Sequence, residues 1–479
     1  MLQKVLIAAM FIAVPLLCHA QKHDFNWLFG YYNNVHPLLG GANIDFNASP
    51  PFIYTETKKI DFAFYCGICS DSSGHLAFYT NGISIRDVTH ERMLNGDTIN
   101  PGPIWLDWQT RDYPNGPFCF ALSGPGKHDQ YYFFHMGTAI TPITVITSPF
   151  YYTIVDMNGN NGLGQVTQKN QIILPADHDY IDPVAVKHGN GRDWWIIAGE
   201  LSTPYLYTFL LDSEGVHGPF TTEMAYQFPG AEYQSVNAIS PDGHTYVRAD
   251  GNHGLYIYDF DRCSGTFSNL RALPFGISDF FGFATVFAPN SKHLYLSSWQ
   301  VVTMLDLSAA NIGNTLDTLA YFDGKASPQE PFVTGFFFPN LAPDGKIYYA
   351  TTNSTLSMHL IHNPDLPGQA ADVEQHGLTL PKYNSGTMCL FPNYRLGEWE
   401  GSPCDTLNGQ RPGDGFTKSD WYPPALNKPE GYTLLPPLFK NAQPGSQPRA
   451  RDLNMAELAF KRREENKKNA ESDKKKDKN

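Results

Sequence analysis

Charge is scarce in this chain. Asp, Glu, Lys and Arg make up 17% of its 479 residues, against about 25% in an average soluble protein. That scarcity excludes a long coiled coil, which needs Ala/Glu/Lys/Leu/Arg-rich heptads. Wholesale disorder is excluded as well, because 42% of the residues are hydrophobic and 14% aromatic, enough for a large core. A positive surplus is also missing. The net charge of −13 argues against nonspecific nucleic-acid binding, which needs a basic surface. No later apolar run reaches the roughly 20 residues of a membrane-spanning helix. Standard enzyme signatures are absent: there is no G-x-S-x-G, H-E-x-x-H, G-x-x-x-x-G-K-[ST] or G-x-G-x-x-G.

What is present begins with an export signal. Lys4 precedes the apolar run Val5 to Leu17, and Cys18-His19-Ala20 ends it. The run is too short to span a bilayer, and the pattern reads as a cleaved secretory signal over residues 1–20. Lipidation of Cys18 ranks second, because Pro15-Leu16-Leu17 lacks the small residues of a lipoprotein box. The expected location is the periplasm, the outer-membrane surface or the outside of the cell. Six cysteines remain: Cys66, Cys69, Cys119, Cys263, Cys389 and Cys404. An exported compartment permits disulfides, and the sequence leaves their pairing open. Cys66-Gly-Ile-Cys69 has the spacing of redox and zinc sites, yet no second pair accompanies it, so a structural thiol or disulfide is the better reading.

One phrase recurs: a polar turn with Gly or Asn, then a short aromatic and β-branched strand. It occurs at Ser70–Tyr79, Gly124–Phe133, Gly189–Ile197, Ser240–Val247, Ala288–Leu296 and Ala342–Tyr349, about 54 residues apart. Pro, Asp and Gly set the turn, and the residues that follow suit a pleated, half-buried sheet. Such a hairpin cannot bury its own face, and a period of this length is that of propeller blades. Between Gln21 and Leu396 no long amphipathic helix interrupts the pattern. The fold class predicted is all-β, a β-propeller of seven blades over 21–396. Six phrases are visible, so a seventh blade is expected to combine Trp27 to Phe46 with Cys389 to Leu396.

Several local pieces carry a family likeness. They include Asn26-Trp27-Leu28-Phe29-Gly30, the Ser70 to Gly82 stretch, Met93-Leu94-Asn95-Gly96, Gly162-Leu163-Gly164, His188-Gly189-Asn190-Gly191 and Phe391-Pro392-Asn393-Tyr394. In their order and spacing the chain resembles the secreted β-propellers of Bacteroidetes bacteria, with WD-like or TolB-like blades. The resemblance covers about residues 24 to 396 and implies fold and compartment more than activity. Members of that group often end in a β-sandwich sorting domain, which this sequence lacks. Instead, 397–446 is rich in Pro and Gly and reads as an extended strap on the propeller. Residues 447–479 hold eleven Lys and Arg against seven acids and read as a mobile or short-helical tail.

The candidate functional residues follow from this frame. Pro101 to Pro117 reads as a loop carrying Trp105, Trp108, Arg111 and Tyr113. Trp, Tyr and Arg are favoured at recognition hot spots, and aromatics also stack on sugars. Their alternative role is to plug the seam between blades. If they bind, replacing both Trp residues is expected to weaken binding with little loss of stability. No cofactor is predicted. Asp156, Asn158 and Asn160 are spaced like the opening of a calcium loop, but no closing Glu follows, so a Gly/Asn turn is the better reading. His90-Glu91 begins like a zinc-protease motif and lacks its second His. His135 and His188 are expected to bond a neighbouring blade's backbone. Glu200, Asn237 and Asp250 could gather round a central metal, as in propeller lactonases. The reading that results leans away from catalysis: an exported cell-envelope module that binds a protein or glycan. A metal-dependent, lactonase-like hydrolase is the alternative. Converging His, Asp, Glu and Asn side chains at the channel would favour the enzyme, and an apolar, aromatic lining would favour binding.

Overall fold

A computed structural model describes residues 21–404 and 426–436, apart from 33–35, 63–64, 111–112, 114–118, 141–144, 177, 228–235, 252, 275–283 and 328–331. The expected export signal, Arg111 and the charged tail therefore lie outside the described residues. The strands form seven sheets in chain order, antiparallel within each blade, the arrangement of a seven-bladed β-propeller. Blade 1 is Asn26–Gly30, Gly41–Asp45 and Phe52–Glu56, and blade 2 is Gly67–Ser70, Leu76–Thr80 and Ile85–Asp87. Blades 3 to 7 each contribute four strands. They begin at Cys119–Gly124, Tyr180–Lys187, Val236–Ile239, Ala284–Phe287 and Phe336–Leu341. The only α-helix among the described residues is Pro103–Trp108.

The recurring phrase is the turn between the first and second strands of a blade. At Ser240 to His244, the Asp242 carboxylate accepts from the His244 N–H at 3.0 Å, and Gly243 donates to the Ser240 carbonyl at 2.8 Å. Gly243 has φ +77, and a Cβ there would meet Val186 and Arg262 within 3 Å. Glycine is needed there for both its backbone and its size. The second strands are buried on both faces; every residue of Trp194–Glu200 is buried. A sheet so apolar must pack on sheets at both sides, and the core divides accordingly. Seven buried clusters occur, one at each seam between neighbouring blades.

Strand direction defines the two ends of the ring. Phrase turns lie at one end. The hairpins joining second to third strands, such as 200–205 and 250–254, lie at the other. Seam 4/5 near that other end depends on Arg248, whose side chain is fully buried. Its Nη2 donates to the Glu200 carbonyl at 2.7 Å and its Nη1 to the Thr203 carbonyl at 3.5 Å, both in the preceding blade. Replacing Arg248 with Ala removes both inter-blade bonds and opens a void. An unfolding titration should show a loss of about 3 kcal/mol. A loss below about 1 kcal/mol would show that the seam holds without it.

The seventh sheet differs from the mixed blade expected. Blade 1 is a three-stranded sheet of N-terminal residues alone, and residues 386–396 form no strand. The segment nevertheless lies at the inner side of that blade. Phe391 stacks on Trp27 at 6.2 Å, and Met388 joins the same cluster. Closure rests on side chains and on a disulfide, Cys66–Cys389, with Cα atoms 5.5 Å apart. A second disulfide joins Cys263 to Cys404. Cys69 and Cys119 are buried thiols. The CxxC pair is therefore not bonded to itself. In an extended chain, residues three apart stand about 10 Å from each other, beyond disulfide reach.

Between the two disulfides the chain crosses the channel at the phrase-turn end. Asn393 Nδ2 donates to the Pro241 carbonyl of blade 5, and the Tyr394 hydroxyl to the Ala121 carbonyl of blade 3. Arg395 makes a bidentate pair with Asp24 at 2.7 and 2.9 Å. Trp399 donates its N–H to the Gly189 carbonyl and packs edge-on against His244. Further on, Leu426–Asn427 and Thr433–Leu434 add short parallel strands to the outer edges of blades 4 and 5.

Candidate functional site

The stretch holding the proposed aromatic anchors is a helical turn, not only a loop. Pro103 starts it, as its fixed φ favours. The turn sits at the end of the ring opposite the crossing segment, beside the 80–85 hairpin. Ile104 is buried, while Trp105 and Trp108 are partly buried against the seam 2/3 cluster. Trp105 Nε1 donates to the Ile83 carbonyl at 3.0 Å. Tyr113 is 1% exposed, and its hydroxyl accepts the Thr138 N–H at 2.8 Å. Burial pushes its phenol up to about 12. The most exposed apolar side chain of the turn is Leu106, at 63%, a residue that hot-spot composition does not single out.

The other candidates are dispersed. Glu200 ends the second strand of blade 4. Its carboxylate holds His178 Nδ1 at 2.7 Å and the Tyr207 hydroxyl at 2.5 Å. Burial, with Glu200 beside it, keeps the Tyr207 phenol protonated well above its usual range. Asp250 ends the second strand of blade 5 and takes the N–H and Nδ1 of His253 at 2.8 and 2.6 Å. Asn237 lies on the inner strand of blade 5 and donates to the Asp182 carbonyl of blade 4 at 2.8 Å. Each of the three has its own partners, and they do not form a shared ligand set. Asp156 accepts the Asn158 N–H at 3.0 Å, which closes the turn ahead of Asn160. His90 lies between the Tyr79 hydroxyl and Glu56. His188 contacts the Cys263 carbonyl of the next blade at 2.9 Å, as expected. His135 instead contacts two side chains, Asn100 and Thr153. Among the described residues, one group of three could hold a metal: Asp212, Glu214 and His217, on an outer hairpin of blade 4.

The ring encloses an axial cavity of about 430 Å³. Its walls are the inner strands of blades 4 to 7, with Phe120 of blade 3 and Leu390 to Asn393 and Arg395 of the crossing segment. Val184, Val236, Ala238, Ala284, Val286 and Phe338 make it predominantly apolar. Pro183 and Pro339 occur in these strands because one edge faces the channel and needs no ladder donor. Asp182 also lines the cavity, and burial among apolar walls pushes its carboxyl well above the usual carboxylate range. Sequence reasoning passed over Asp182. The available signal was an acid set in Tyr-Ile-Asp-Pro-Val-Ala-Val, an otherwise apolar strand.

No protein-family model matches the chain, and no curated protein matches it in sequence. Solved β-propellers resemble it in shape. A protein from Lactobacillus plantarum is 12% identical, with a TM-score of 0.44 over 76% of this chain and 98% of its own. A putative 6-phosphogluconolactonase from Bacteroides uniformis is 13% identical, with a TM-score of 0.44 over 75% and 98%. The periplasmic gluconolactonase of Pseudomonas aeruginosa is 11% identical, with a TM-score of 0.43 over 76% and 97%. Likeness at this level carries no argument about activity. No helix among the described residues is long and apolar enough to cross a membrane.

Proposed function

We propose that this propeller is an exported binding module of the cell envelope, of the secreted Bacteroidetes type its sequence resembles, recognising a protein or glycan partner. The observation that carries this reading is the helical turn Pro103–Trp108, with Leu106 exposed between two half-buried Trp rings on a rigid ring of sheets. A preformed apolar surface binds with little ordering cost. The two disulfides fit an oxidising compartment. The dispersal of Glu200, Asn237 and Asp250 among separate partners speaks against the hydrolase alternative.

The test is Leu106→Asp, measured on a glycan array and by crosslinking to an envelope fraction. The change should cost at least tenfold in retention of whichever partner the native protein retains, about 1.4 kcal/mol or more, with an unchanged melting temperature. Trp105→Ala should also lower stability, by about 3 kcal/mol, because that ring packs on the seam and bonds Ile83. Undiminished retention by Leu106→Asp would sink the proposal. Bound metal with chelator-sensitive lactonase activity would replace it with the alternative.

A further inference from the structure

Two inner strands step out of register beside the axial cavity. In blade 4, Ile181 pairs with Gly199 and Val184 with Ile197, so Asp182 and Pro183 together face Ala198. In blade 7, Phe336 pairs with Thr351 and Pro339 with Tyr349, so Phe337 and Phe338 together face Ala350. The inner strands of blades 5 and 6 keep an unbroken register. A bulge of this kind re-aims a side chain and recurs beside functional sites. Here Asp182 and Phe338 both line the cavity. Asp182 is half-buried, and no hydrogen bond or ion pair from another described residue reaches its carboxyl.

The rest of the setting selects an uncharged ligand. Walls such as Val184, Val236, Ala284, Val286 and Leu390 cannot replace water around a charge. Arg395, in the same lining, is already held by Asp24 through both terminal nitrogens. Burial, with the charge of Asp179 adding to it, raises the Asp182 carboxyl well above its usual range. The group therefore meets a ligand as an O–H donor and a C=O acceptor side by side. A primary amide is its complement, since the amide carbonyl accepts that O–H while the amide N–H donates back. A cavity of about 430 Å³ lies within the usual range for small-ligand pockets.

We infer that the axial cavity is a binding site for a small, uncharged, largely apolar molecule bearing an amide, with the bulged Asp182 pairing with the amide and the aliphatic walls covering the rest. The site is separate from the helical turn that carries the proposed function, and either can fail alone.

Calorimetry on the full chain at neutral pH decides it, with three probes built on a phenyl ring: 2-phenylacetamide, phenylacetate and 2-phenylethylamine. The amide should bind about tenfold or more tightly than either charged probe. Asp182→Asn keeps a donor and an acceptor in the same place and should hold the amide's affinity within about threefold. Asp182→Leu should weaken it by about tenfold or more, with the fold of both variants checked by circular dichroism. Should the variants fail to fold, the comparison of the three probes on the native protein decides alone. A charged probe that binds as tightly as the amide, or no amide binding at millimolar concentration, overturns the inference. Undiminished amide affinity in a folded Asp182→Leu protein also overturns it, since the carboxyl would then have no part in binding. Loss of amide binding in a folded Asp182→Asn protein overturns it as well, because the carboxyl would then act as an ionised group.

Discussion

Replacing Cys66 and Cys389 together with Ser should lower stability by about 4 to 5 kcal/mol in a non-reducing unfolding titration. The bridge links residues 323 apart in sequence, so its loss frees a very long loop in the unfolded chain. The native state also depends on it more than a sheet-closed propeller would. Blade 1 receives no strand from the C-terminal side, so no ladder of backbone hydrogen bonds joins the two ends. Without it the ends are still linked by the Trp27–Phe391 stack, the bonds from the Thr387 hydroxyl to the Phe62 carbonyl and from the Tyr383 N–H to the Leu38 carbonyl, and the Arg395–Asp24 pair, each a single contact and not a strand pairing. Limited proteolysis of the double variant should start in the segment after Ser385. A change below about 1 kcal/mol would show that side-chain packing alone holds the ring shut.

The second large effect concerns pH. His135 is fully buried, and desolvation lowers its imidazole to about 3. Burial also lowers His359, to about 4, with His376 nearby adding to the shift. Both values lie below the unfolded value of about 6.5, so the folded protein keeps these rings neutral where the unfolded chain binds protons. Their contribution is fully present above about pH 6.5 and falls as pH drops through the window down to the folded values. At pH 5 each ring should account for about 2 kcal/mol of lost stability relative to pH 8. Asp182 works in the opposite direction, because its raised carboxyl takes up a proton in the folded state first. The clean measurement is therefore the difference between variant and native protein. His135→Gln with His359→Gln should gain about 4 kcal/mol on the native chain between pH 8 and pH 5, whatever its stability at pH 8. Parallel stability curves for the two proteins would mean that these rings are solvated.

Architecture was legible in the sequence because it is local. The turn chemistry of Ser240 to Gly243 and the strand-forming runs after each turn need no distant partner to be recognised. Their repetition carries the blade count. Burial of second strands such as Trp194–Glu200 follows from their unbroken apolar character. His188 also followed its expected pattern, since its contact with the next blade repeats with the architecture.

The tertiary structure decided whatever depends on which distant segments meet. Cys66 found Cys389 and not Cys69, because three residues of extended chain hold two thiols apart while ring closure brings the ends together. Tyr113, attractive as an anchor, is drawn into the seam by Tyr65 and the Thr138 amide of the neighbouring blade. Glu200 and Asp250 are separated by the His and Tyr partners that each finds close by. Asp182 became notable only when the inner strands closed round the axis. A carboxyl's environment is set by the walls that surround it, and those walls come from four other blades and the crossing segment.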